Sequence, residues 1–170
     1  MPFFAYASPV GPLGIIEESG AIVEIRFMPG GGPAPEKAPL PGNPPRDSAV
    51  PATPLLAEAA RELDRYFAGT LKAFTVPLAP KGTPFQLAVW KALLAIPYGG
   101  LATYGEIARA AGNPLAARAV GMACNRNPIA IAIPCHRVVG ASGALTGYAG
   151  GVEAKRFLLD LESRRQPHLL

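Results

Sequence analysis

The apolar positions of this chain change period along its length. Over the first 28 residues they run in short stretches, "PFFAYASP", "LGIIEE" and "AIVEIRF", separated by the turn signals "SPVGPLG" and "ESG". In the last stretch Ile22, Glu24 and Arg26 alternate with Val23, Ile25 and Phe27. A period of two predicts an antiparallel hairpin of strands. A helical period follows in "PLLAEAARELDRYFAGT", where Leu55, Leu56, Ala59, Leu63 and Phe67 share one face and Gly69 ends the run. "FTVPL" predicts a further short strand, and "APKG" marks a boundary near residue 80.

Beyond that boundary the pattern is mostly helical. In "TPFQLAVWKALLAIPYGG", Thr83 is the expected N-cap, with Pro84 at the first helical position and Gln86 three after the cap. Phe85, Val89, Leu93 and Ile96 form its core stripe. "TYGEIARAAG" predicts a short helix from Thr103 to Gly112, and "NPLAARAVGMACNRN" another, with Asn113 as N-cap and Pro114 at N1. Two short helices joined by the tight "AGNP" turn fit a helix-turn-helix, although αα-hairpins also occur in proteins that never meet DNA. The second helix is smooth, offering Ala116, Ala117, Ala119, Gly121 and Ala123 around one cation, Arg118. Major-groove reading calls for several long polar side chains, so this face suits a shallow minor-groove floor or simple packing on the first helix.

The expected organisation is therefore α/β (α+β): an N-terminal α/β domain at 1–80, with antiparallel sheet and helix, and a mainly helical C-terminal domain at 81–170. Between Pro29 and Pro54 half of the residues are proline or glycine, which predicts a loop or linker. The function of that loop, a tolerated insertion or a lid, is left open.

Composition narrows the class. The chain has 170 residues, 49% of them apolar and 16% charged, and no run of eighteen apolar residues. That excludes a membrane-spanning helix and leaves enough chain for a sizeable core. No secretion signal is legible in "MPFFAYASPVGPLG", so a cytoplasmic protein is expected. A formal net charge of +4 suits a polyanionic partner without demanding one. Two cysteines, Cys124 and Cys135, are expected as free thiols. With only two histidines, His136 and His168, and no C-x-x-C spacing, no zinc site is expected.

The candidate chemistry sits in "NPIAIAIPCHRVVG", where Cys135 follows a strand-like run and Pro134 and precedes His136. A free thiol is mostly protonated at neutral pH and needs a base to become a strong nucleophile. Adjacent side chains of an extended chain diverge, so a direct Cys135–His136 dyad requires a sharp turn, which Pro134 allows, or a bridging water. The last helical stretch, "GVEAKRFLLDLESRR", offers Glu153, Asp160 or Glu162 to orient the imidazole. Thiol, histidine and carboxylate make the general activated-nucleophile pattern.

From about Pro84 to Glu162, "NPLAARAVGMACNRNP", "IPCHRVVG" and "GALTGYAGGVEAKRFLL" resemble the O6-alkylguanine-DNA alkyltransferase family. The resemblance implies that Cys135 takes the alkyl group from O6 of guanine as a thioether, with His136 acting through a water and Glu162 holding the imidazole. It implies that Tyr104 donates to N3 of the guanine, and that Asn127 ties the helix-turn-helix to the cysteine turn. The carbonyls of Cys135 and Val138 accept from the guanine amino group in that reading. Tyr148, Ala149 and Gly150, with Pro134, form the base pocket; Ala149 stands where some relatives have serine. Arg118 enters the base stack as the nucleotide flips out, on a helix whose Ala116, Ala117 and Ala119 approach the minor groove.

The implied partner is double-stranded DNA carrying O6-alkylguanine, with O4-alkylthymine as a further substrate. The protein acts once, needs no cofactor or metal and no membrane, and works as a monomer, with cooperativity along DNA left open. Two other readings compete: a DNA-binding module that senses alkylated bases without repairing them, and a cysteine hydrolase unrelated to DNA.

Overall fold

A computed structural model of the chain describes residues 2–28 and 51–164. Two compact units result: Met1–Pro80 with Pro128–Ala132, and Lys81–Asn127 with Ile133–Leu170.

The first unit is built on an antiparallel meander of β1 (Phe3–Ser8), β2 (Gly11–Glu18) and β3 (Ala21–Phe27). A register shift between Ile16 and Glu17 interrupts the β2–β3 ladder, and Ile22 and Val23 are both buried beyond it. The alternation read from the sequence therefore holds only for part of β3. The free edge of β3 is occupied twice. Ile22 exchanges hydrogen bonds with Pro77 and Ala79 (2.8 and 2.9 Å), and Ile25 with Pro128 and Ala130 (2.9 and 2.8 Å). "FTVPL" thus contributes one bridge, Ile22 to Leu78, and no strand. Proline at 77 removes a ladder donor, which keeps the pairing this short.

Helix α1 (Pro54–Phe67) covers the sheet with Leu56, Ala59, Leu63, Tyr66 and Phe67. Thr53 caps it by accepting from the Leu56 N–H, so the last two residues of the Pro/Gly-rich stretch belong to the start of a helix. Residues 29–50 of the predicted loop lie outside the described residues.

The Pro128–Ala132 segment departs most from expectation. "NPIAIAI" has strand composition, yet only Ile129 forms a bridge, to Ile25. Ile131 then turns the chain at φ 70°, with Ala132 donating to the Ala130 carbonyl at 2.8 Å. A left-handed β-branched residue costs on the order of 1–3 kcal/mol, and full burial of Ile129, Ile131 and Ile133 offsets that strain.

In the second unit, α2 (Pro84–Leu94) begins at a capping box in which Thr83 and Gln86 satisfy each other's backbone donors. Val89, Leu93 and Ile96 are buried, and Phe85 is half-buried. Trp90, buried as well, donates its indole N–H to the Ala123 carbonyl at 2.9 Å. This bond ties α2 to α4 (Ala117–Asn125). Between them run β4 (Ala102–Thr103) and α3 (Tyr104–Ala110), with Thr103 and Glu106 forming a second capping box. β4 pairs in parallel with β5 (Val138–Val139), and α5 (Val152–Arg164) closes the unit.

The expected start of the second short helix needs correction. Residues 113–116 form a turn in which the Asn113 side chain accepts from the Leu115 N–H at 3.2 Å. The helix begins only at Ala117, behind Ala116, with no side-chain cap. Asn113 turns its own backbone instead of capping a helix, a competing preference of Asn. Among the described residues no helix is long and apolar enough to cross a membrane.

Candidate active site

Two successive devices aim the thiol. The Cys135 N–H donates to the Ile133 carbonyl across Pro134 (φ −83°, ψ 63°), a three-residue turn for which proline presets φ. A single turn of 3-10 helix, Cys135–Arg137, then follows. At three residues per turn, successive side chains diverge by about 120°. Cys135, His136 and Arg137 therefore leave the backbone in three directions although they are neighbours in sequence.

Asn127 meets the first of them. Its side-chain amide donates to the Ile133 carbonyl at 2.8 Å and to Cys135 Sγ at 3.2 Å. It thereby fixes the sulfur and the entrance to the cysteine turn together. His136 Nε2 lies 2.7 Å from Glu162 Oε1, and neither side chain is exposed to solvent. Of the three acids offered by α5, Glu162 is the one turned inward; Glu153 and Asp160 are exposed. Arg137 holds the same carboxylate through Nε and Nη2, both at 2.9 Å, and donates Nη1 to the Ile96 carbonyl at 2.7 Å.

These contacts set the charges. Burial alone would raise the Glu162 pKa, but hydrogen bonds from His136 and Arg137 bring it down to about 2. The acid is thus ionised and Arg137 is its cationic partner. His136 is shifted down, because burial outweighs the pull of Glu162. The imidazole is therefore neutral and carries its proton on Nε2, toward the carboxylate. Nδ1 keeps a lone pair and, buried, finds no partner among the described residues, which leaves it the basic nitrogen of the site. Burial also pushes the Cys135 thiol up, against the Asn127 hydrogen bond and the Lys155 ammonium. At rest the site holds a protonated thiol and a neutral imidazole.

Lys155 was not singled out from the sequence. It is 1% exposed and donates to the Val138 carbonyl at 2.5 Å and the Thr146 carbonyl at 3.4 Å. It follows helical spacing with Leu158 and Glu162 on the buried face of α5, and a cation at such a position was the available signal. Arg137 was passed over as well. The Val138 carbonyl, expected to receive a guanine amino group, already accepts from Lys155, and the Cys135 carbonyl accepts from the Val138 N–H. Each oxygen retains a second lone pair.

The remaining expected residues lie in the same unit. Tyr148 packs edge-on against the His136 ring, with centroids 6.5 Å apart, and its hydroxyl is buried. Burial raises its pKa well above the usual phenol value. Ala149 is exposed and Gly150 half-buried, in a turn closed by the Gly151 N–H on the Tyr148 carbonyl at 2.9 Å. Pro134 and Val138 are buried. Tyr104 opens α3 directly after β4, and the Thr103–Val139 pairing brings it beside the loop leaving β5. Its hydroxyl lies 2.5 Å from Thr146 Oγ1. Both residues line a cavity of about 400 Å³ together with Ala117, Arg118 and Gly121. Arg118 and Ala119 are exposed, whereas Ala116 and Ala117 are half-buried. Cys135 does not border this cavity and is 5% exposed.

Two family models match the chain in tandem. The ribonuclease-like domain of 6-O-methylguanine DNA methyltransferase matches residues 4–80, and the DNA-binding domain of the same protein matches residues 84–164. This chain belongs to the 6-O-methylguanine DNA methyltransferase family. A methylated-DNA–protein-cysteine methyltransferase of Methanosarcina acetivorans is 51% identical over 95% of this chain and 98% of its own. A protein of the same name from Mycobacterium bovis is 48% identical over 94% and 91%. Among solved structures, Mycobacterium tuberculosis OGT in complex with DNA is 46% identical. It covers 96% of this chain and 94% of its own, with a TM-score of 0.79. The 6-O-methylguanine DNA methyltransferase fold, a small antiparallel sheet unit and a helical unit, is thus the α+β arrangement expected from the sequence.

Proposed function

We propose that this protein repairs alkylated DNA by moving the alkyl group from O6 of guanine onto Cys135, once per molecule. The observation that carries this reading is the buried Cys135–Asn127 and His136–Glu162 arrangement, in a unit that also bears the Arg118 helix. The thiol proton passes through a water to His136 Nδ1, and the imidazolium formed is stabilised by Glu162. The sulfur bonds to the alkyl carbon while the carbon–O6 bond breaks and its electron pair stays with the base. Tyr104 donates to N3 of the departing guanine, so the leaving group is not a bare anion. The product is a thioether, which thiols do not reverse. Catalysis in the turnover sense is absent, and one molecule repairs one lesion.

Residues 81–170 carry both DNA binding and transfer in this reading. Arg118 fills the stack vacated by the flipped nucleotide, and Ala116, Ala117 and Ala119 approach the minor groove. Val138, Tyr148, Ala149, Gly150 and Pro134 receive the base. Alanine at 149 retains the backbone N–H that reaches O6. O4-alkylthymine is a second substrate, the acting form is a monomer, and the site of action is the cytoplasm.

Intact mass and peptide mapping after incubation with a duplex carrying O6-methylguanine test the reading. One methyl on Cys135 and none on Cys135→Ser, which still binds the duplex, is the expected result. Lesion binding with an unmodified cysteine identifies a sensing module instead, and turnover on esters or amides identifies a hydrolase.

A further inference from the structure

Tyr104 and Thr146 form a hydroxyl pair on the wall of the cavity that Arg118 also lines, with their oxygens 2.5 Å apart. Such a pair holds two hydroxyl protons, and the bond between them uses one. Whichever residue donates to the other leaves its partner's proton free. If Thr146 donates to the phenol oxygen, the Tyr104 proton points away from Thr146 and is available to a base in the cavity. Thr146 is exposed, and a second group approaches its backbone. Its backbone carbonyl accepts from Lys155 Nζ at 3.4 Å, and Lys155 is anchored on Val138 at 2.5 Å. Tyr104 is placed at the first position of α3 by the Thr103–Glu106 capping box. Two hydroxyls presented from separate backbone elements to one cavity have the geometry of a relay.

We propose that Thr146 is a positioning residue for alkyl transfer, donating its hydroxyl proton to the Tyr104 oxygen so that Tyr104 donates its own to the guanine. The inference rests on the alkyl-transfer reading above. As sulfur bonds to the alkyl carbon and the carbon–O6 electron pair passes to the guanine, N3 takes the Tyr104 proton. The phenol oxygen, gaining charge, keeps the Thr146 O–H as its donor, and hydrogen bonds in such a chain strengthen one another. Half-exposed Tyr104 then recovers a proton from water, and the hydroxide left over takes the thiol-derived proton from His136, so both groups return to their neutral forms. Thr146 thereby acts on the leaving group without touching it.

Single-turnover transfer from an O6-methylguanine duplex tests this in four proteins: wild type, Thr146→Val, Tyr104→Phe and the double variant. Thr146→Val keeps the shape and removes the hydroxyl. It is expected to slow the maximal rate constant about two- to tenfold, the loss of one ordinary hydrogen bond, with DNA affinity unchanged. In the Tyr104→Phe background the same substitution is expected to change nothing further, because its effect passes through the phenol. Thr146→Ser restores the rate. An equal loss in both backgrounds, no loss in the first, or a loss that serine fails to restore overturns the proposal. A wild-type protein that leaves Cys135 unmethylated overturns the alkyl-transfer reading itself and the relay with it. Normal wild-type transfer confines any failure to Thr146.

Discussion

Glu162→Gln removes one charge from the centre of the site and leaves the side-chain volume unchanged. The carboxylate accepts from Arg137 twice at 2.9 Å and lies 2.7 Å from His136 Nε2, with no exposure to solvent. An amide in its place retains one oxygen and turns an NH2 group toward donors, so one of the guanidinium or imidazole contacts is lost. Arg137, 7% exposed, is left as a buried cation without its counter-ion. Breaking a buried pair in this way costs about 3–5 kcal/mol. For a chain of this size, about 2–4 °C per kcal/mol converts that into a fall in Tm of about 6–20 °C. The rate of transfer should fall as well, because a neutral amide no longer stabilises the imidazolium that His136 becomes. General-base assistance is worth about 10²–10⁴-fold.

Circular-dichroism melting and urea titration at pH 7 measure the first effect, and single-turnover methyl transfer measures the second. The double variant Arg137→Met, Glu162→Met separates them. Apolar residues in place of a buried ion pair are frequently neutral for stability, so the double variant should regain most of the lost Tm while transfer stays slow. A loss below about 1 kcal/mol in Glu162→Gln, the range of an exposed pair, refutes the buried-pair argument. Recovery of both stability and rate in the double variant refutes the role of Glu162 as the anchor of His136.

Acid should unfold the protein in two stages. His136 is held neutral when folded, so stability declines as pH falls below the ordinary histidine value of 6.5. Glu162 contributes stability that is complete above 4.5 and is lost toward about 2, on the order of 3 kcal/mol in all. Urea midpoints between pH 7.5 and 3 read both stages, and a flat profile down to pH 4 contradicts the burial of His136. Arg118→Ala should slow transfer about tenfold in duplex and much less in single strands, where flipping costs little. Equal losses on the two substrates, measured side by side, remove Arg118 from the flipping step.

Local rules predicted the parts of the fold that depend on few residues. Thr83 with Gln86 and Pro84 marked the start of α2, and Thr103 that of α3, because caps are satisfied within one turn. Long-range competition decided the failures. The run from Ile129 to Ile133 has strand composition, but one backbone bridge to Ile25 and burial of its isoleucines outweigh local propensity. Asn113 satisfies the rules for an N-cap and for a turn equally well, and the chain uses the turn. Within the site, Cys135 and His136 are legible from the oddity of a thiol beside Pro and His. The choice of Glu162 over Asp160 needs the rotation of α5 about its axis, which the resemblance supplied and spacing alone left open. Thr146 carries no local signal, since its hydroxyl acquires meaning only opposite Tyr104.

On the proposed alkyl-transfer reading, the resting charges also explain why a single-use thiol can persist. A low-pKa, exposed thiolate reacts readily with oxidants and stray electrophiles, and a protein that acts once is lost to any such side reaction. Here burial holds Cys135 protonated and His136 neutral, so the nucleophile stays masked until the proton moves. Moving it creates a thiolate and an imidazolium, two charges in a low-dielectric interior where unpaired charge is costly. Each half already has a prepared partner. Asn127 donates to the sulfur and Lys155 supplies positive charge near it, while Glu162 receives the imidazolium. His136 and Arg137 together hold Glu162 ionised before any proton moves, so the carboxylate is already charged when the imidazolium forms. Preorganised partners of this kind lower the barrier to charge separation without raising the resting concentration of thiolate, and the same burial that masks the cysteine strengthens the groups that unmask it.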